Sequence, residues 1–299
     1  MSRLDLDYRL LEALFYIDQT RSFEKAAKKL CITQSAVSQR IRQLEIQTEC
    51  RLIVRSTPVS LTSTGESLSA HFRRVRFLEN QWRSGHLPAA RTPGKIAIAA
   101  NRDSLSTWLP GALSEFAKKT GIMLEVWSED QSRTLELLSS GKVEACISSD
   151  PGAPKGYDTV SLGTMDYHCV ATPGFIRKYF SENLPESLTK APVVIFDRFD
   201  HLHNIFLEEN MGFKGSGLTF PYHELPSHHA FLKVITDGLC YGMIPLQEIA
   251  HLLETNLLQD VFPGHSYTLP LYLHSWTFAR KELKQLVEIF EDSAASFLL

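Results

Sequence analysis

The chain has 299 residues, 43% of them apolar and 22% charged, which suits a globular protein of about two domains and excludes a disordered or collagen-like one. Net charge is −3, but residues 1–87 carry +5 and residues 88–299 carry −8, so a basic head that suits a polyanion precedes an acidic body. With no run near the ~18 apolar residues of a membrane helix, no basic-then-apolar opening and no C-x-x-C pair among Cys31, Cys50, Cys146, Cys169 and Cys240, a cytoplasmic protein with buried, reduced thiols and no membrane attachment is expected.

Residues 8–19 place Leu10, Leu11, Leu14, Phe15 and Ile17 at helical spacing. Ser22 is placed to cap a second helix over 23–30, where Ala26 and Ala27 permit close packing. Thr33 is placed to cap a third over 34–46, whose Val37, Ile41 and Leu44 follow i, i+4, i+7 and predict a buried stripe. Gln34, Ser35, Ser38, Gln39 and Arg42 then project from the other side. Two short extended runs, 52–55 and 59–62, flank a turn at Pro58. Three helices followed by a hairpin predict a winged helix-turn-helix.

Residues 64–83 read as one long helix with Leu68, Phe72, Val75 and Trp82 near heptad spacing, as in a helix packed on a partner helix. A breaker-rich hinge follows at 85–94. Beyond it strands are predicted at 95–100, 123–127, 145–148, 193–196, 241–244 and 269–273. Helices are predicted at 105–119, 134–140, 230–236, 246–255 and 280–297. Such alternation predicts an α/β domain.

Residues 23–45 hold A-A-x-x-L at 26–30, T-Q-S-A-V-S at 33–38 and I-x-x-L-E at 41–45. This pattern resembles the DNA-binding head of LysR-type transcriptional regulators, and Leu61-Thr62-Ser63-Thr64-Gly65 resembles the family's L-T-x-x-G. Further segments, 103–108, 129–134, 190–197 and 243–247, are similar to one branch, the arginine-export regulators, also described as chromosome replication initiation inhibitors. The resemblance implies three parts: a winged helix-turn-helix at 1–62, a linker and dimerisation helix with hinge at 63–93, and a two-lobed, periplasmic-binding-protein-like effector domain at 94–299. It implies a nucleoid-associated homodimer or homotetramer on double-stranded DNA, with RNA polymerase as a further partner. An amino-acid effector is implied too, lysine or arginine first. The alternative is an architectural factor or inhibitor at a replication origin, without a small-molecule response. Glu49 departs from the family, standing where a glycine is usual. Arg102 also departs, standing where near relatives have a small residue.

Reading DNA requires polar side chains that reach base edges in the major groove. Thr33, Gln34, Ser35, Ser38 and Gln39 are the candidates, while Arg40, Arg42 and Arg55 suit phosphates. In the body, ligands of such folds sit beyond strand carboxyl ends. That nominates Asn101, Arg102, Asp103 and Ser104 after the first strand, then Glu129 and Asp130, then Ser148 and Ser149, then Phe196 and Asp197. Ser104 is expected to cap a helix and receive an α-carboxylate, and Asp103 or Asp130 to pair with a side-chain cation. Arg102 is expected to point to solvent or to pair with Glu129, unless it recruits an acidic effector. His201, His203, His228 and His229 match no zinc pattern, and no phosphate loop or nucleophile elbow is present, so no metal, cofactor or catalysis is expected.

Overall fold

The computed structural model describes residues 6–298 except 55, 57, 87–93, 131–132, 154–155, 182–183, 214–219 and 278–280. Within the helices, the side chains of residues 77, 80–86 and 185 are also outside the description. The chain divides into two compact units, residues 1–94 with 136–144, and residues 95–135 with 145–299. Among the described residues, no helix is long and apolar enough to cross a membrane.

In the first unit, α1 (Tyr8–Thr20) starts on Asp7, whose carboxylate accepts the Arg9 amide. α2 (Phe23–Leu30) is capped by Ser22 and α3 (Gln34–Thr48) by Thr33, as their sequences predict. Val37, Ile41 and Leu44 are buried against Leu10, Leu14 and Ile17 of α1 and Ala26 of α2. β1 (Ile53–Val54) and β2 (Ser60–Leu61) form a short antiparallel wing. α4 (Ser63–His86) then runs for 24 residues. Its first turns belong to the head: Gly65 lies under the Leu52 carbonyl, Phe72 is buried against Phe15, and Arg73 pairs with Asp18. Phe72, expected on an intermolecular seam, therefore packs within its own chain.

The second unit begins with β3 (Lys95–Ala100). The single helix expected over 105–119 is two, α5 (Arg102–Ser106) and α6 (Leu109–Thr120). Pro110 is the reason: its ring and missing N–H are tolerated in a first turn but not in an interior. The helix also begins earlier than predicted, so Ser104 lies inside α5 and caps nothing. β4 (Met123–Ser128) and β5 (Ala145–Ser148) follow, with β3 parallel to both strands; α7 (Thr134–Ser139) lies between them in sequence, its residues from 136 onward grouped with the first unit.

β6 (Tyr157–Ala171), absent from the predicted elements, then spans 15 residues. α8 (Pro173–Tyr179) and α9 (Leu184–Lys190) precede β7 (Val193–Ile195), and α10 (Leu202–Met211) precedes β8 (Tyr222–Glu224). α11 (His228–Thr236), β9 (Gly242–Pro245), α12 (Leu246–Glu254) and β10 (Gln259–Asp260) lead to β11 (Tyr267–Trp276) and α13 (Lys281–Ala295). β11 is twice its predicted length and pairs antiparallel with β6 from Tyr157 to Tyr167.

Among the described residues the main sheet runs β10-β6-β11-β5-β3-β4, with β9 also on β6, while β7 pairs with β8 and bridges to Tyr241. β6 and β11 thus run through two lobes, one built on β3, β4 and β5 and the other on β7, β8, β9 and β10. The first lobe buries Ile96, Ile98, Phe116, Leu271 and Phe290, with Trp108 edge-on to Phe290. A separate cluster in the second gathers Val194, Phe231, Ile235, Ile249 and Leu258. All five cysteines are free thiols, but Cys31 and Cys50 are exposed rather than buried. Cys31 ends α2 with φ 54°, where its side chain stands clear of the core.

Candidate functional site

The head presents one face of α3. Gln34, Ser35, Ser38, Gln39 and Arg42 are exposed opposite the buried stripe, and Thr33 is exposed at the cap. The Thr33 Oγ1 and Ser35 Oγ lie 2.9 Å apart, which steadies the first turn of this face. Arg40 is set apart: it is half-buried and its Nη1 lies 3.5 Å from the Arg9 carbonyl of α1. Arg55 lies outside the described residues. Sequence reasoning passed over Ile46, which is 70% exposed beyond Arg42 on the same helix. Its signal was an apolar residue outside the i, i+4, i+7 stripe.

The end of α3 carries strain. Glu49 takes φ 54°, a left-handed conformation, and its amide closes onto the Glu45 and Ile46 carbonyls. The glycine usual at this position in the resembling family would adopt it without cost.

In the second unit the nominated residues follow the carboxyl ends of β3, β4, β5 and β7. Arg102, Asp103, Asp130 and Phe196 line one cleft, joined by Asp200, Tyr167 and His228. The void between these walls is about 60 Å³. Arg102 neither points to solvent nor pairs with Glu129. Its Nη2 donates to Asp197 Oδ2 at 2.6 Å, and its guanidinium lies 3.8 Å from the centre of the Phe196 ring. Glu129 instead faces Arg133 at 3.7 Å.

Ser148 is buried, with its Oγ accepting the Asp150 amide at 3.1 Å, and Ser149 is half-buried; neither lines this cleft. Asn101 and Ser104 are fully buried and do not line this cleft, and among the described residues the Asn101 amide and Ser104 hydroxyl have no hydrogen-bond partner. Unpaired buried polar groups of this kind are uncommon and call for a physical account.

The loop after β7 is preformed by two carboxylates. Asp200 accepts the Phe196 and Leu202 amides at 2.9 and 3.1 Å, and Asp197 Oδ1 accepts the Phe199 amide at 2.8 Å. Desolvation raises the Asp197 pKa, but the Phe199 amide and the Arg102 guanidinium outweigh it, so Asp197 sits below the usual carboxylate range. Desolvation raises Asp200 instead.

Asp103 accepts a hydrogen bond from the Tyr167 hydroxyl, and desolvation pushes its pKa up to about 6. His228 lies 2.7 Å from Glu248, which raises the imidazole pKa chiefly through that hydrogen bond. His229, next in sequence, is exposed. The donor atoms of Asp103, His228 and Glu248 all lie within 4.8 Å of one another, the spacing of a small cation site. Yet Asp103 is engaged by Tyr167, and His228 and Glu248 by each other.

Tyr167, Asp200 and Glu248 escaped sequence reasoning, and His228 was weighed only as a zinc ligand. Glu248 directly follows the M-I-P-L-Q segment at 243–247, and Asp200 is three residues past Asp197. Those adjacencies were the available signals.

Residues 8–66 match the bacterial regulatory helix-turn-helix protein, lysR family, and residues 89–293 match the LysR substrate binding domain. The HTH-type transcriptional regulator ArgP of Photobacterium profundum is 40% identical over 286 residues, 95% of each chain. The crystal structure of ArgP from Mycobacterium tuberculosis is similar with a TM-score of 0.86 at 27% identity, covering 98% of this chain and 99% of that one. Full-length LysG from Corynebacterium glutamicum, with bound effector Arg, gives a TM-score of 0.78 at 28% identity over 98% and 99% of the two chains. Two adjoining domain matches that span most of the sequence leave one conclusion: this chain belongs to the LysR family of bacterial DNA-binding transcriptional regulators.

Proposed function

We propose that this regulator reads a dyad in double-stranded DNA as a homodimer or homotetramer and responds to a basic amino acid, lysine or arginine, held between the lobes of residues 94–299. Residues 1–62 serve as the DNA-binding domain and 63–93 as linker and dimerisation helix. The observation that carries the effector reading is the segment after β3. Asn101 and Ser104, buried polar side chains without partners among the described residues, flank in sequence Arg102 and Asp103 of the cleft wall. An α-amino acid brings a carboxylate for such donors and a cation for Asp103, Asp130 and Asp200. The bound arginine of the Corynebacterium glutamicum neighbour supports the same class.

In the head, Gln34, Ser35, Ser38 and Gln39 address bases and Arg40, Arg42 and Arg55 address phosphates. The length of α4 and its exposed Leu78 support the dimer. The protein acts in the cytoplasm on the nucleoid, alongside RNA polymerase and without a catalytic step of its own. Effector affinity that differs between two lobe arrangements shifts their populations and so the placement of the heads. Titration calorimetry of the full-length protein against the twenty amino acids tests the effector. Heat with lysine or arginine that Asp130→Ala abolishes is expected. Binding of only an acidic metabolite, lost in Arg102→Ala, overturns the basic effector.

A further inference from the structure

The Phe196 ring and the Asp197 carboxylate together form a receptor for a planar cation. The ring offers its negative face, and the carboxylate stands beside it with Oδ1 fixed by the Phe199 amide and Oδ2 free for a charged donor. Asp200 locks the same loop from both sides through Phe196 and Leu202. A guanidinium already occupies this receptor, and it is the chain's own. Arg102 comes from α5, after β3 of the first lobe, while Phe196 and Asp197 follow β7 of the second. Both members of the pair are only about a fifth exposed, 23% and 22%, so solvent screens the contact less than a surface ion pair. The void left around it, about 60 Å³, holds a few waters and falls far short of the roughly 300 Å³ of an ordinary small-molecule site.

We infer that Arg102 is a tethered occupant of the cleft's cation subsite, latching the two lobes through Phe196 and Asp197. A free basic amino acid then binds only by displacing this guanidinium. The chain is therefore a receptor of reduced sensitivity, biased toward the latched lobe arrangement. Displacement lowers apparent affinity in proportion to the latched fraction: a latch closed nine parts in ten weakens binding about tenfold. Lysine cannot replace Arg102 fully, because an ammonium lacks the planar face that stacks on the ring. The latch itself is independent of which effector binds; only the displacement step rests on the proposed function.

The test uses the full-length protein, with Arg102→Ala and Arg102→Lys. Thermal unfolding is followed with millimolar methylguanidinium, and with sodium chloride at equal ionic strength as the control, beside calorimetric titration with arginine. Arg102→Ala is expected to melt below the wild type, and methylguanidinium to restore its melting temperature without raising that of the wild type. Arg102→Lys should fall between. Arginine should bind Arg102→Ala about tenfold more tightly than the wild type. Restoration by methylguanidinium with no arginine binding to either protein upholds the latch and rejects the basic effector. Equal arginine binding to both proteins, with no methylguanidinium response, overturns the latch and leaves the effector reading standing.

Discussion

Replacing Gly65 with alanine should loosen the winged head. The residue lies in the first turn of α4, where a helix normally gains about 0.5–1 kcal/mol from alanine over glycine. Here an added Cβ would stand 2.2 Å from the Leu52 carbonyl oxygen, about 1 Å inside the shortest ordinary C···O contact. The obstacle is backbone, so no rotamer relieves it. Leu52 is fully buried, its carbonyl accepts the Thr62 amide at 3.0 Å, and its own amide donates to Glu45 at 2.9 Å. Moving that carbonyl weakens a hydrogen bond worth about 1 kcal/mol. It also overpacks the junction of wing and helix, at about 1–3 kcal/mol. After the helix-propensity gain, the net loss is about 2 kcal/mol, which speeds exchange from globally protected head amides about 30-fold. Hydrogen exchange by mass spectrometry over residues 8–66 measures this in the intact chain. Exchange unchanged or slowed in Gly65→Ala would refute the close-approach account of the L-T-x-x-G glycine.

Glu49→Gly should act in the opposite direction: removing a left-handed non-glycine residue gains about 1–2 kcal/mol, offset by about 0.5–1 kcal/mol of chain entropy, and the same amides should exchange more slowly. Faster exchange contradicts this. Ser35→Ala and Gln39→Ala should narrow the affinity gap between a specific site and a scrambled duplex. Arg42→Ala should weaken both alike and reduce the salt slope by about one, and a base-selective loss from Arg42→Ala would reverse these roles. Asp103, raised to about 6 in the fold, binds its proton more tightly folded than unfolded. Its stabilising contribution is fully present below its unfolded pKa near 3.9 and is lost as pH rises through about 6. The unfolding midpoint of wild type should therefore fall relative to that of Asp103→Asn as pH rises from 4 to 6; parallel curves, or a relative rise, contradict the shift.

The head was legible because its helices announce themselves, α1 by its stripe, α2 by its cap and α3 by both. Ser22 and Thr33 accept the amides expected of them, and Val37, Ile41 and Leu44 are buried together. The body was less legible. β6 alternates only in its second half, since its first residues lie at the margin of the sheet and Gly163 sits at a bulge opposite β11. α10 starts after His201, which makes no side-chain cap, while the Asp200 carboxylate before it accepts the Leu202 amide, a start that reads as a loop. The cleft was half legible. Residues just beyond strand ends could be nominated from topology, as Arg102, Asp103, Asp130 and Phe196 show. Tyr167 and His228 reach the same cleft from a crossing strand and a helix start remote in sequence, and Glu248 pairs with His228 from another helix start. The partner of Arg102 is tertiary information as well: Asp197 is 95 residues away.

Genome-wide occupancy of the full-length protein, mapped by crosslinking and immunoprecipitation with and without added lysine or arginine, decides whether it is an amino-acid-responsive regulator. Discrete peaks are expected over dyad sequences upstream of transport or metabolic genes, whose transcription changes when the amino acid is supplied. Peaks confined to a replication origin, indifferent to either amino acid, would contradict that role.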